Sequence, residues 1–408
     1  MNNLLEEVRE EAKKYEGLRI DSYIRQGSSR DGLKVIAPDE YDSVLEFHVE
    51  GLKTEPQPVK KNGTIIPGFC LFQIQQTSEQ LQKKFPKLFK ENAFVEDAGS
   101  FYLSSKNLHE KVLTSLVDTA SHAVEKKMSG DKVDFKIRRK KNPPAINITI
   151  HLNDHAHDAL MPQGKLKQSM GGEIDLDVVP AMLLKIDADT QYKGLKLNCP
   201  VHAVCKWVEG DTVKMLEFVP QKTLVWHVNS AGYEKHTLDV ARKIQKQRYI
   251  LTALRIMKTF FVKAKKVAKD KKESPPQMVS VLKSYHLKHV TLYLIMYTCF
   301  IYSSIDIPNA EVALTYFLCL LEAALEEKHL PHFYYSNSKI NSMYPGFRSE
   351  GLKYDHFRKA APDSLLQSLK SLQKLLMKEC CVETKEVGSD MKKVVKEFKE
   401  EINSGRYF

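Results

Sequence analysis

The chain has 408 residues, 42% of them hydrophobic and 28% charged, with a net charge of +11. At roughly 150 residues per domain this predicts two or three units, or one two-lobed domain, able to bury a core without disulfide staples. The composition excludes a collagen-like, disulfide-scaffold or wholly disordered protein, and the surplus of Lys and Arg favours a polyanionic partner.

At the start, MNNLLEEVREEAKKYEG is acidic and helical and lacks the apolar stretch of a secretory signal. Leu4, Leu5, Val8, Ala12 and Tyr15 recur at helical spacing and predict a helix over 3–16. Strands are expected at 33–37 and at 42–49, where Leu45, Phe47 and Val49 alternate with Glu46 and His48. TEPQPVKKNG reads as a loop, and 104–127 as an amphipathic helix capped by Ser104 or Ser105. KIRRKKNPP reads as a basic turn before a strand at 145–152, and HLNDHAHDALMPQGKLKQSMGG as a polar loop. EIDLDVVPAM reads as a strand with acids at alternate positions, followed by strands near 200–206 and 212–219. Beyond Trp226 helical patterns dominate, at 236–268, 277–302, 309–327, 363–378 and 389–403. The apolar run 290–302 is too short for the roughly 20 residues that span a bilayer, so no membrane segment is expected. The seven cysteines contain no CxxC pair, which points to a reducing compartment, cytosol or nucleus, and a cytoplasmic location is expected. The order predicts an α+β chain: a mixed-sheet unit over 1–225 and a helical unit over 226–408.

Three carboxylates stand out. Glu40 and Asp42 are separated by one residue, which on a strand puts both on one face, where like charges repel unless a cation neutralises them. Upstream, Gly27-Ser28-Ser29 forms a short turn whose backbone N–H groups and hydroxyls suit a phosphate. The third acid is Asp177 in EIDLDVV, with Asp175 as its rival on the same strand face. Together these oxygen ligands suit two hard divalent cations, Mg²⁺ or Mn²⁺, as phosphoryl transfer to a hydroxyl requires.

A Gly-Ser turn, then Glu-x-Asp on a strand, then a distant strand Asp resembles the nucleotidyltransferases of the DNA polymerase beta type. GSSRDGLKVIAPDEYD, FVEDAGSFYLSSKNLHEKV, EIDLDVV, EFVPQ, LKSYHLK and LPHFYYSNSKI narrow the resemblance to the cyclic GMP-AMP synthase-like receptors, and do so in order along almost the whole chain. The resemblance implies a two-lobed nucleotidyltransferase with catalytic acids in a mixed-sheet lobe and a helical-bundle lobe completing the nucleotide pocket. It implies that Glu40, Asp42 and Asp177 bind the metals, that Gly27 and Ser28 hold a triphosphate, and that Tyr285 stacks on a base beside Ser284. Lys258 and Lys288 match lysines that contact the donor triphosphate, and Glu234 matches a glutamate that shapes the pocket. The implied activity is synthesis of a cyclic dinucleotide from two nucleoside triphosphates, signalling through a STING-type receptor in innate immunity.

Departures from the family pattern carry information. The interval between Glu234 and Lys258 holds one His and no Cys, so the zinc thumb of the vertebrate DNA sensor is absent and no zinc is expected. That favours the insect-type relatives, which sense double-stranded RNA. Trp226-His227-Val228-Asn229-Ser230-Ala231 and Val179 stand where the family reads bases, which leaves base choice open. Arg138, Arg139, Lys140 and Lys141, with Lys235, Arg242, Lys246 and Arg255 on one expected helical stripe, are the candidates for phosphate-backbone binding, and a homodimer on nucleic acid is a further expectation. Two other readings stay open: a catalytically silent scaffold of the same fold, and a transferase that extends an RNA end.

Overall fold

Leu45, Phe47 and Val49 point into one core while Val44 packs in another, because a strand sends successive side chains to opposite faces. They belong to a strand of a computed structural model that describes residues 2–35, 40–128, 135–142, 145–152, 173–187, 191–192, 195–196, 199–207, 222–244, 247–344, 351–379 and 388–407. The described residues form two compact units. One comprises Met1–Gly63, Gly68–Asp187 and Pro200–Ala231, and the other is chiefly Gly232–Phe408 with Thr64–Pro67 and Ala188–Cys199.

The first unit begins with α1 (Asn2–Ala12), which buries Leu4, Val8 and Ala12 at four-residue spacing. Strand β1 (Leu18–Gln26) leads into a single helical turn, α2 (Gly27–Arg30), and then β2 (Glu40–Val49). Next come β3 (Thr54–Lys61), β4 (Thr64–Ile74), α3 (Ser78–Lys84), α4 (Pro86–Lys90), β5 (Phe94–Asp97) and β6 (Ser100–Leu103). A helical run over 105–128, here α5, starts at Ser104, whose hydroxyl accepts the Asn107 N–H at 3.2 Å, and contains a π-helical turn at Leu108–Leu113. Strands β7 (Phe135–Asn142), β8 (Ala145–Leu152) and β9 (Glu173–Asp187) follow, then the β10 (Gln191–Tyr192) and β11 (Leu195–Lys196) ribbon, which belongs to the second unit, and then β12 (Cys199–Val204) and β13 (Trp226–Asn229).

The main sheet runs β1-β2-β9-β12-β13-β4-β6-β5, with β3 beside β4, β8 beside β9 and β7 beside β8. It is mixed: β2 runs parallel to β9, whereas β1–β2, β7–β8 and β8–β9 are antiparallel. Fully buried Trp226 anchors its core, lying edge-on to Phe72 at 5.1 Å and donating its indole N–H to the Leu103 carbonyl at 3.0 Å.

Several sequence expectations change here. Residues 54–61 are a strand, not a loop, and 135–142 are a strand, not a basic turn. Among the described residues β3 pairs only with β4, and β7 only with β8. Such edge positions tolerate Pro56, Pro58 and rows of cations that a central strand would reject. Residues 33–35 adopt no regular structure, and β1 was not anticipated. The expected loop 153–172 and strand 212–219 lie outside the described residues.

The second unit is helical: α6 (Ala231–Lys243), α7 (Arg248–Lys271), α8 (Gln277–Val281), α9 (Ser284–Ile295) continuing into a π-helical turn at Met296–Ile301, α10 (Ala310–Glu327), α11 (Pro362–Glu379) and α12 (Ser389–Asn403). The expected single helix over 236–268 is two. Gln247 is buried at the break and donates its side-chain amide to the carbonyls of Thr298 and Ile305, at 3.1 and 3.0 Å. Helix α9 packs against α7 and α10, and α10 against α12. After α10 the chain forms a short bridge in which the His332 N–H donates to the Tyr354 carbonyl at 2.8 Å and the His356 N–H to the Leu330 carbonyl at 2.9 Å. Among the described residues no helix is long and apolar enough to cross a membrane.

Candidate active site

The parallel register of β2 and β9 sets the first group of acids. Glu40 lies level with Asp175, and Asp42 with Asp177. Asp42, Asp175 and Asp177 therefore share the sheet face that also carries Val44, Val179 and Ala181, opposite the face that packs the main core. On the other side of β9, β8 places Asn147 level with Asp177 and Thr149 level with Asp175. The Asn147 side-chain amide donates to Asp177 Oδ1 at 2.5 Å, and the Thr149 hydroxyl to Asp175 Oδ1 at 2.5 Å. Each acid thus has one oxygen oriented by a neutral donor. Sequence reading missed Asn147 and Thr149. Their alternation on the strand Ala145–Leu152 was the available signal, but nothing local says that this strand adjoins the acids.

Gly27 closes the same site from β1. Gln26 pairs with Asp42, and Gly27 follows with a positive φ of +70°. A Cβ built on Gly27 would stand 1.8 Å from Asp42 Oδ2, so only glycine lets the turn pass this close to the carboxylate. Ser28 follows it in α2. Carboxylates clustered on one face, with amide and hydroxyl partners, are the donor chemistry of Mg²⁺ or Mn²⁺ rather than of a softer metal.

The second unit assembles three of the expected pocket residues. Glu234, in the first turn of α6 and 3% exposed, accepts the Tyr285 hydroxyl at 2.9 Å on Oε1 and the Lys288 ammonium at 2.6 Å on Oε2. Tyr285 and Lys288 are three residues apart on α9, which places them on one helix face. The Tyr285 ring is 42% exposed while its hydroxyl is enclosed. Burial, and after it the Glu234 carboxylate, hold that hydroxyl well above its ordinary pKa. The result is a neutral, part-exposed aromatic plate with its hydroxyl edge tethered. Ser284, beside it, is exposed, and Lys258 is half-buried on α7, which packs on α9.

The basic candidates divide. Arg138 to Lys141 lie along β7, level with residues 149 to 146 of β8. Lys235 and Arg242 both pair with Asp239, each at 2.5 Å, so one acid offsets two cations. Arg255 is exposed on α7, and Lys246 lies outside the described residues. The expected stripe from 235 to 255 is interrupted, because the Gln247 break separates its two helices.

Comparison with known families gives an independent reading. Residues 29–194 match the family model described as the Mab-21 protein nucleotidyltransferase domain. The match spans Glu40, Asp42, Asp175 and Asp177, begins two residues after Gly27, and ends before the Tyr285 set. A search of the curated proteins gave no match. The α+β fold expected from the sequence is thus that of a nucleotidyltransferase, and over residues 29–194 the chain is similar to the Mab-21 protein nucleotidyltransferase domain.

Proposed function

We propose that this protein is a cyclic dinucleotide synthase that joins two nucleoside triphosphates when double-stranded RNA binds it. Its product would signal in the cytoplasm to a STING-type receptor in antiviral defence. The observation that carries the reading is the register of Asp42 with Asp177 beside the side-chain-free approach of Gly27. Glu40, Asp42 and Asp177 would hold two Mg²⁺ or Mn²⁺ ions, which when bound stabilise the attacking and leaving oxygens of an in-line displacement at an α-phosphate. The chain's own groups supply the positioning. Asn147 fixes the Asp177 carboxylate by occupying Oδ1, leaving Oδ2 to face the attacking ribose hydroxyl. Gly27 and Ser28 offer backbone N–H groups to the triphosphate. Tyr285 offers its part-exposed ring to a base, with its edge held by Glu234. Ser284, Lys258 and Lys288 would contact phosphate, Lys288 on giving up part of its bond to Glu234. Arg138 to Lys141, Lys235, Arg242, Lys246 and Arg255 would meet an A-form backbone, read by shape and with steep salt dependence, and a second copy would bind along the same duplex.

The test is direct. The purified protein is incubated with the four labelled nucleoside triphosphates and Mg²⁺ or Mn²⁺, with no nucleic acid, with double-stranded RNA, or with double-stranded DNA. Phosphatase-resistant products are then resolved, with Asp42→Asn as control. A resistant product that needs RNA, contains no RNA and disappears in Asp42→Asn is the expected result. An extended RNA end would instead mean a template-free transferase, and no product with any ligand would mean a silent scaffold.

A further inference from the structure

Three histidines converge where sequence spacing gives no hint of it. His289 lies on α9, and His332 and His356 sit on the two sides of the short bridge between 330–332 and 354–356. Each offers a ring nitrogen, and these nitrogens all lie within 4.8 Å of one another. The His289 ring meets the other two edge to face, at 4.0 Å from His356 and 4.7 Å from His332 between centroids, and His332 and His356 are tilted against each other at 5.1 Å.

His289 is the informative member. It has no solvent exposure. Its Nδ1 faces the Tyr285 carbonyl at 3.1 Å, so Nδ1 carries the proton and donates it. Nε2 is then a bare lone pair, and it is buried without a hydrogen-bond partner. A buried acceptor left in that state is costly, because it has given up its hydrogen bond to water without a replacement. A donor bond from Nδ1 to a backbone carbonyl with Nε2 aimed inward is also the way metal-binding histidines are usually oriented.

We infer that His289, His332 and His356 form a three-imidazole site for a divalent transition metal, with Zn²⁺ the ion that best fits. Three neutral nitrogens and no carboxylate reject Mg²⁺ and suit Zn²⁺, with water in the fourth position. Zinc bonds of about 2.0–2.1 Å would draw the nitrogens to roughly 3.3 Å apart, a modest contraction from the present spacing. The contraction has a cost at His332, whose Nδ1 now receives the N–H groups of Tyr334 at 3.2 Å and Tyr335 at 3.4 Å. Coordination through Nε2 puts the proton on Nδ1 and releases those two long contacts. This site is distinct in place and chemistry from the oxygen ligands on β2 and β9. It lies directly beneath the Tyr285 plate and shares the Tyr285 carbonyl with it, so a bound ion would stiffen the plate without touching a nucleotide.

Untagged full-length protein is stripped with a chelator and titrated with Zn²⁺, and separately with Co²⁺, in millimolar Mg²⁺ to occupy oxygen sites. The expected result is one equivalent bound, strong visible Co²⁺ bands of a low-coordinate nitrogen site, and a raised melting temperature. His332→Ala and His356→Ala should each weaken binding by at least about tenfold, while the surface variant His122→Ala should not. Zinc-edge X-ray absorption on the unmodified protein needs no variant and should report three imidazoles. No bound equivalent in Mg²⁺, a shell without imidazole, or binding that survives both His332→Ala and His356→Ala overturns the inference.

Discussion

The two groups of candidate residues are built on opposite plans. On β2 and β9, acids are brought level by strand register, and their like charges call for a cation from outside. On α6 and α9, one acid, Glu234, is buried and already bonded by Tyr285 and Lys288 from the same unit. The first arrangement carries unbalanced like charges, and in the second the carboxylate is already matched by a hydroxyl and an ammonium. A shared activity would therefore ask different things of them: charge stabilisation from the acids, and shape from the aromatic plate.

The contrast is easiest to break at the acids. Asp177→Asn should reduce nucleotidyl transfer by about 10³-fold with the melting temperature nearly unchanged, whereas Asp175→Asn should lose about tenfold or less. Comparable losses would move the metal ligand to Asp175. Stability should answer at the other site. Lys288→Met strands a buried carboxylate and should cost about 3–5 kcal/mol in denaturant unfolding, and adding Glu234→Gln should recover most of it. Gly27→Ala forces both a strained φ and a collision with Asp42. It should cost about 1–3 kcal/mol and should also abolish transfer, linking the two readouts at a single position. The smallest effect concerns pH. His286 accepts the Lys283 N–H on Nδ1 at 3.2 Å, and burial, then Lys283, push its pKa down to about 4. From roughly pH 6.5 down to 4 the unfolded chain binds a proton that the folded chain refuses. This contribution is complete above about pH 6.5 and declines as the pH falls, and His286→Gln should flatten that part of a stability–pH curve.

The strands that carry the candidate acids were largely legible in the sequence because their logic is local. Glu40-x-Asp42 and Asp175-x-Asp177 declare a strand face by period alone, and both strands were found. What period cannot reveal is who lies alongside, so Asn147 and Thr149 were missed. The strands misread, β3 and β7, are both at edges, where prolines and cations are allowed and mimic turn chemistry. The helix break at Gln247 carries no Gly or Pro, because it is made by carbonyls of Thr298 and Ile305 that lie some fifty residues further on. The histidine cluster was invisible for the same reason. Its members belong to one helix and a later bridge, and no local motif joins them.

The parallel pairing of β2 with β9 also has a kinetic side. The Ser43 hydroxyl donates to the Asp177 carbonyl across a separation of 134 residues, whereas β1 meets β2 through a short connection. Closing so long a loop is entropically slow, and parallel strands return little until both are aligned. The β1–β2 hairpin should therefore gain hydrogen-exchange protection early in refolding, and the Asp42–Asp177 pair late. A ribosome-bound chain would then carry no assembled acid pair until β9 has emerged, so this arrangement delays the meeting of Asp42 and Asp177 to the near-completion of the first unit.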